Sequence, residues 1–281
     1  MASLAGQVAV VTGASRGVGK GVALGLGEAG ATVYVTGRAT REGESVEYLP
    51  GTIGGTAEEV TALGGTGIAV RCDHRDDARV EALFARVRDE QGGRLDILVN
   101  NVWGGYEYMM RPDGVFTWEW PFWEQPLWRW DAMFAAGVRA HYVASQHAAR
   151  MMVPRRHGLI VNISFFAGQK YMGNTAYGVA KAADDRMAAD MAHELRAHDV
   201  AAVALYPGLV RTEAVMQFPD AFDFSNSESP HFLGRAVAAL AADPDVMTKS
   251  GQALVAAALG REYGFTEIDG KRPRPLTLAE L

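Results

Sequence analysis

Short apolar runs without polar alternation recur along this chain, each followed by a longer stretch with helical spacing, and that rhythm leaves few folds open. Val8–Val11, Thr32–Thr36, Gly67–Arg71, Ile97–Asn100, Leu159–Ile163, Ala201–Leu205 and Ala253–Ala256 read as strands. Runs such as Ile97-Leu98-Val99 and Leu159-Ile160-Val161 offer no polar face, so both faces of the sheet must be covered, as in parallel sheets. Between the strands, Val18, Val22 and Leu26 recur at helical spacing, with Gly30 behind them as a C-cap. Ala57 to Leu63 ends at Gly64-Gly65, and Val80, Leu83, Phe84 and Val87 mark a third helix. A long helix is expected from about Trp130 to Met152, stopped by Pro154, and another from about Thr175 to Arg196. The repeated β-α order predicts one α/β domain over residues 1–281: a doubly wound parallel sheet of about seven strands, with helices on both faces.

Two segments break the rhythm. Residues 102–130 hold all six tryptophans of the chain together with Tyr106, Tyr108, Phe116 and Phe122. Residues from about 211 to 235 are polar and aromatic, carry Pro219 and Pro230, and have no clear period. Long irregular segments in a compact domain usually form lids or binding loops. The tryptophans suit either a pocket for an apolar, cyclic molecule or packing within the loop and at a subunit interface.

Composition narrows the function classes. A net charge of -6 without a Lys/Arg-rich face argues against nucleic acid as a partner. The lone Cys72 can form no intrachain disulfide. The first apolar run, Val8–Val11, is too short for a leader core and follows no basic segment. No run of about eighteen apolar residues exists, so no membrane span is expected, and a cytoplasmic location is the expectation. His141, His147 and His193 lack metal-ligand spacing and read as packed or surface residues, so no metal is expected. Asp184, Asp185 and Glu194 read as solvated helix charges.

The first strand runs into Thr12-Gly13-Ala14-Ser15-Arg16-Gly17-Val18-Gly19, which opens the first helix. Gly13 permits the turn, while Gly17 and Gly19 let backbone approach an anion and pack helix on strand. The helix N-terminus adds free N–H groups and a positive dipole, so a dinucleotide pyrophosphate is the ligand that fits Gly13, Ser15, Arg16, Gly17, Val18 and Gly19. The second strand ends Val35-Thr36-Gly37-Arg38 with no acid to take a ribose hydroxyl. Arg16 and Arg38 instead suit a 2′-phosphate, so NADP(H) is the preferred cofactor, with NAD(H) the lesser one. Asp73, after the third strand, either accepts from an adenine amino group or caps the helix over Arg75–Gln91. Asn100 and Asn101 end the fourth strand, where ligands of such sheets gather, and one of them could tie strands together instead.

Tyr177 and Lys181 are four residues apart in Tyr177-Gly178-Val179-Ala180-Lys181, which places them on one helix face. An ammonium beside a phenol, together with the positive nicotinamide of a bound cofactor, favours phenolate and lowers its pKa, giving a group that exchanges a proton with a carbonyl or alcohol oxygen. Ser164 follows the fifth strand thirteen residues before Tyr177, where it could hydrogen-bond the same oxygen.

Taken together, Thr12–Gly19, Asn100-Asn101, Ser164, Tyr177–Lys181 and Pro207-Gly208 followed by Thr212 resemble the short-chain dehydrogenase/reductase superfamily over essentially the whole chain. Trp123-Glu124-Gln125-Pro126, Ala192-His193-Glu194-Leu195-Arg196 and Arg261-Glu262-Tyr263-Gly264 point to one member of it in particular. The resemblance implies a Rossmann-like fold and NADP-dependent carbonyl reduction of a broad range of small molecules. It also implies a catalytic set of Ser164, Tyr177 and Lys181, a nicotinamide end lined by Pro207, Gly208, Val210 and Thr212, and a homodimer or homotetramer. Two departures stand out. Asn100-Asn101-Val102-Trp103 replaces the usual Asn-Asn-Ala-Gly, and Gly137 falls where the long helix usually has an Asn that supports a water holding the lysine. A nucleotide-binding regulatory protein with little turnover is the rival reading, and a dehydratase or epimerase would need further acid/base groups that are not evident.

Overall fold

A computed structural model describes residues 3–44, 49–111, 113 and 115–281, so Met1 and Ala2 of the N-terminal stretch lie outside the described residues. Among the described residues seven strands are present: β1 (Val8–Val11), β2 (Thr32–Gly37), β3 (Thr66–Arg71), β4 (Ile97–Asn100), β5 (Gly158–Ile163), β6 (Val200–Tyr206) and β7 (Ala253–Val255). They form one sheet in the order β3-β2-β1-β4-β5-β6-β7, and every neighbouring pair is parallel. The helices are α1 (Gly17–Glu28), α2 (Ile53–Ala62), α3 (Asp77–Glu90), α4 (Leu127–Ala132), α5 (Ala140–Met152), α6 (Thr175–Leu195), α7 (Pro230–Ala242) and α8 (Ala256–Tyr263).

Alternate residues of each strand feed two apolar layers, because successive side chains leave a strand on opposite faces. Ala9 and Val11 join Val22, Leu26, Leu233 and Val237 under α1 and α7. Val8 and Val10 join Val80, Phe84, Ala148 and Met152 under α3 and α5. The chain reverses its direction of winding between β1 and β4, and the loops leaving those two strands open a crevice at their carboxyl ends.

The long helix differs from its expected form. It starts at Leu127, passes through a π-helical segment over Met133–Arg139, and continues as α5. Pro154 sits inside a short 3-10 turn, Val153–Arg155, rather than stopping the helix outright. The π segment contains Gly137, against which the Trp103 ring is lodged; such bulges collect at functional sites. No helix among the described residues is long and apolar enough to cross a membrane.

Candidate active site

The glycine turn is built by close approach. A Cβ on Gly19 would lie 2.3 Å from the Gly13 carbonyl oxygen and 2.4 Å from Asn101 Nδ2, so only glycine fits there. Asn101 Nδ2 donates to the carbonyls of Thr12 and Gly13 at 2.9 and 3.0 Å, and its backbone N–H donates to Thr12 Oγ1. Asn101 therefore shapes the turn from β4. Asn100 is fully enclosed and donates to Ser145 Oγ and Asn162 Oδ1, both at 2.9 Å. Of the two roles open to it, the Asn100 side chain fills the structural one in this structure, tying β4 to α5 and β5.

The donor set of the turn suits a pyrophosphate. Helix α1 has no side-chain N-cap and no acid in its first turn. Its Gly17 N–H donates to Glu213 Oε2 at 2.8 Å, an anionic oxygen held where a phosphate oxygen would be received. Thr212 comes against Gly17 from the loop after β6. Gly208 N–H donates to Glu228 Oε2 at 2.9 Å, and Val210 bridges to Glu228. Burial pushes the Glu228 carboxyl up to about 7.

Of the two arginines, Arg16 is pinned by bonds to the carbonyls of Pro50 and Gly51 at 3.0 Å each. Arg38 is exposed just after β2, and its charge acts on Asp73 and Arg16. Asp73 is held by Arg75 at 3.0 and 2.8 Å, a pairing that pulls its carboxyl down to about 2. The cap of α3 is Asp76, which accepts from the N–H groups of Ala78 and Arg79. The capping role offered for Asp73 is thus corrected.

Tyr177, in the first turn of α6, stands within a set of aromatic rings. Trp118, Trp103, Tyr106 and Phe165 have centroids 5.2, 5.7, 6.2 and 6.5 Å from its own. The insert therefore divides: Trp103 and Trp118 wall the phenol, while Trp123 is 72% exposed. Asn174 sets the start of α6 by accepting from Tyr177 N–H at 3.1 Å and donating to the Trp118 carbonyl at 2.9 Å.

Lys181 lies one turn further on, buried. Its Nζ donates to the Ile163 carbonyl at 2.9 Å and to Asp184 Oδ2 at 3.2 Å, and rests 3.8 Å from the Trp103 ring centroid. The Tyr177 phenol is set by its own surroundings when no cofactor is bound. Burial first, then Tyr106 and Asp184, push that phenol well above its ordinary value, while the Lys181 charge pairs with Asp184. Ser164 sits at the carboxyl end of β5 as read, where its buried hydroxyl donates to the Lys181 carbonyl at 3.3 Å, and the neighbouring Phe165 ring lies 6.5 Å from that of Tyr177.

Asp184 and Asp185 are not solvated. Asp184 is fully buried between Lys181 and His141, whose Nδ1 lies 2.9 Å from Asp184 Oδ1. Burial pushes the Asp184 carboxyl up, but His141 and Lys181 outweigh it and hold the group below its usual range. Asp185 accepts from the Tyr206 hydroxyl, and burial raises it. The spacing of Lys181 and Asp184 was visible in the sequence; which side of α6 faced inward was not.

Residues 7–221 match the family model described as short chain dehydrogenase. The chain is 45% identical over 284 residues to mouse dehydrogenase/reductase SDR family member 1, covering 96% of this chain and 86% of that protein. A solved short chain dehydrogenase from Mycobacterium thermoresistibile superposes with a TM-score of 0.80 at 28% identity, covering 99% of this chain and 94% of that one. A solved 7α-hydroxysteroid dehydrogenase complexed with NADH and 7-oxo glycochenodeoxycholic acid gives a TM-score of 0.73 at 25% identity, over 90% of this chain and 93% of that one.

Proposed function

The chain belongs to the short-chain dehydrogenase family, and from that footing we propose that it is an NADP(H)-preferring oxidoreductase that reduces apolar, cyclic ketones, with Tyr177 as the proton donor. The observation that carries this reading is the Tyr177 phenol inside an aromatic enclosure, one helical turn before the buried Lys181. A bound nicotinamide supplies the hydride. Tyr177 gives its proton to the substrate oxygen, and Trp103, Trp118 and Phe165 exclude water and offer flat surfaces to a ring system. Gly13, Ser15, Gly17, Val18 and Gly19 would receive the pyrophosphate, and Pro207, Gly208, Val210 and Thr212 the nicotinamide end. Exposed Arg38, with Arg16 beside it and no acid at the end of β2, supports a 2′-phosphate. Asp73 and Arg75 border the adenine side. The bile-acid ketone in the solved 7α-hydroxysteroid dehydrogenase supports a fused-ring substrate. We place the reaction in one catalytic domain of a cytoplasmic homo-oligomer.

One observation favours the rival, a nucleotide-binding regulator with little turnover: the Ser164 hydroxyl is turned into the protein. A panel of cyclic and open-chain ketones, assayed with NADPH and with NADH, separates the two. A charged contact to the 2′-phosphate predicts about tenfold or more in kcat/KM for NADPH. Equal use of both cofactors overturns the phosphate assignment, and NADPH binding without turnover on any ketone supports the rival.

A further inference from the structure

Three ionisable side chains meet behind Tyr177. Lys181 Nζ reaches one oxygen of Asp184 at 3.2 Å, and His141 Nδ1 lies 2.9 Å from the other. His141 Nε2 lies 3.0 Å from the Val102 carbonyl, at the end of β4. Asp184 and His141 are fully buried, out of reach of bulk solvent. A neutral imidazole has one N–H and one bare nitrogen. A backbone carbonyl has no proton to give, and neither has an ionised carboxylate. Both ring nitrogens therefore have to donate. We propose that His141 is an imidazolium that shares Asp184 with Lys181, and that Asp184 and His141 are positioning residues that fix the Lys181 ammonium behind Tyr177.

The physical need is plain. A lysine ammonium is a compact charge on a flexible stem. Here it is anchored on three sides, by the Ile163 carbonyl, by Asp184 and by the Trp103 face. Asp184 is in turn fixed through His141 to the loop after β4 that also carries Trp103 and abuts the glycine turn. The clamp thus links the turn to the helix that bears Tyr177. The other titratable groups facing it are Asp185 and Tyr177 on α6, Tyr106 in the insert and His74 between β3 and α3.

The kinetic part of this inference rests on the proposed reductase reading, whereas the protonation part does not. Nitrogen-15 NMR of the full chain labelled at histidine, at pH 8, is expected to show one ring with both nitrogens protonated, assigned by its loss in His141→Gln. If no histidine ring is doubly protonated, the imidazolium is refuted without any variant. In NADPH-dependent ketone reduction, Asp184→Asn is expected to lower kcat about ten- to a hundredfold through misplacement of the ammonium. It should also move the alkaline limb of the pH profile down by about one pH unit or more, because Tyr177 loses an anionic neighbour. Asp184→Glu should restore part of both. A folded Asp184→Asn with an unmoved alkaline limb overturns the positioning role, whatever its melting temperature. Absence of turnover in the parent chain would refute the reductase reading and leave the NMR result to decide the clamp.

Discussion

A methyl group on Gly137 would lie 2.4 Å from Cζ3 and 2.6 Å from Cε3 of Trp103, about 1 Å inside ordinary carbon contact. In Gly137→Ala the indole must therefore shift away from the π segment, and it is the same ring on which Lys181 rests at 3.8 Å. Overpacking of this kind costs about 1–3 kcal/mol, and a disturbed, desolvated cation–π contact up to about 2 kcal/mol. Alanine recovers about 1 kcal/mol over glycine in a helix interior. The net expectation is a loss of about 2 kcal/mol. In a Trp103→Ala background the obstacle is gone, and the same substitution should stabilise by up to about 1 kcal/mol. Urea unfolding of the two single variants and the double variant measures this reversal of sign. Additive effects, within about 0.5 kcal/mol, would refute the claim that residues 103 and 137 fill one space.

Gly19→Ala should break the turn from the other side, since its methyl group displaces the Asn101 amide that holds Thr12 and Gly13. Calorimetric titration is expected to show NADPH affinity falling by about tenfold or more, and affinity within twofold of the parent would contradict the geometry. Glu228 is buried and keeps its proton up to about 7 in the folded chain, against an ordinary 4.5. Between those values the unfolded chain binds fewer protons than the folded one, so stability falls as pH rises, by up to about 3 kcal/mol. Glu228→Gln should flatten the difference in urea midpoint between pH 5 and pH 8; an unchanged difference places the titration elsewhere.

Much of the fold is legible because parallel strands buried on both faces must be apolar throughout. Ile97-Leu98-Val99 and Leu159-Ile160-Val161 give this away, and all seven strands fall within a residue or two of their expected bounds. Elements governed by local hydrogen bonding were less legible. Asp73 and Asp76 are chemically alike and both precede α3, and only the backbone course decides that Asp76 caps it. A π segment has no distinct apolar period, so the break at Met133–Arg139 was hidden. In the site, Tyr177 and the glycine turn were readable from spacing. The orientation of Asp184 was not, because spacing along α6 does not say which face the sheet covers, and that of Ser164 was not, because it follows from the backbone course after β5. The two departures, a tryptophan at 103 and no side chain at 137, turn out to be one change: the bulk of the first occupies the space left by the second.

The measurement that bears most directly on the proton-donor role of Tyr177 is single-turnover ketone reduction by Tyr177→Phe, mixed with saturating NADPH. Phenylalanine keeps the ring among Trp103, Trp118 and Phe165 and removes only the hydroxyl. The account predicts unchanged NADPH affinity and a reduction rate lower by about 10²- to 10⁴-fold, the usual contribution of a positioned acid. A rate within a few-fold of the parent chain would contradict it.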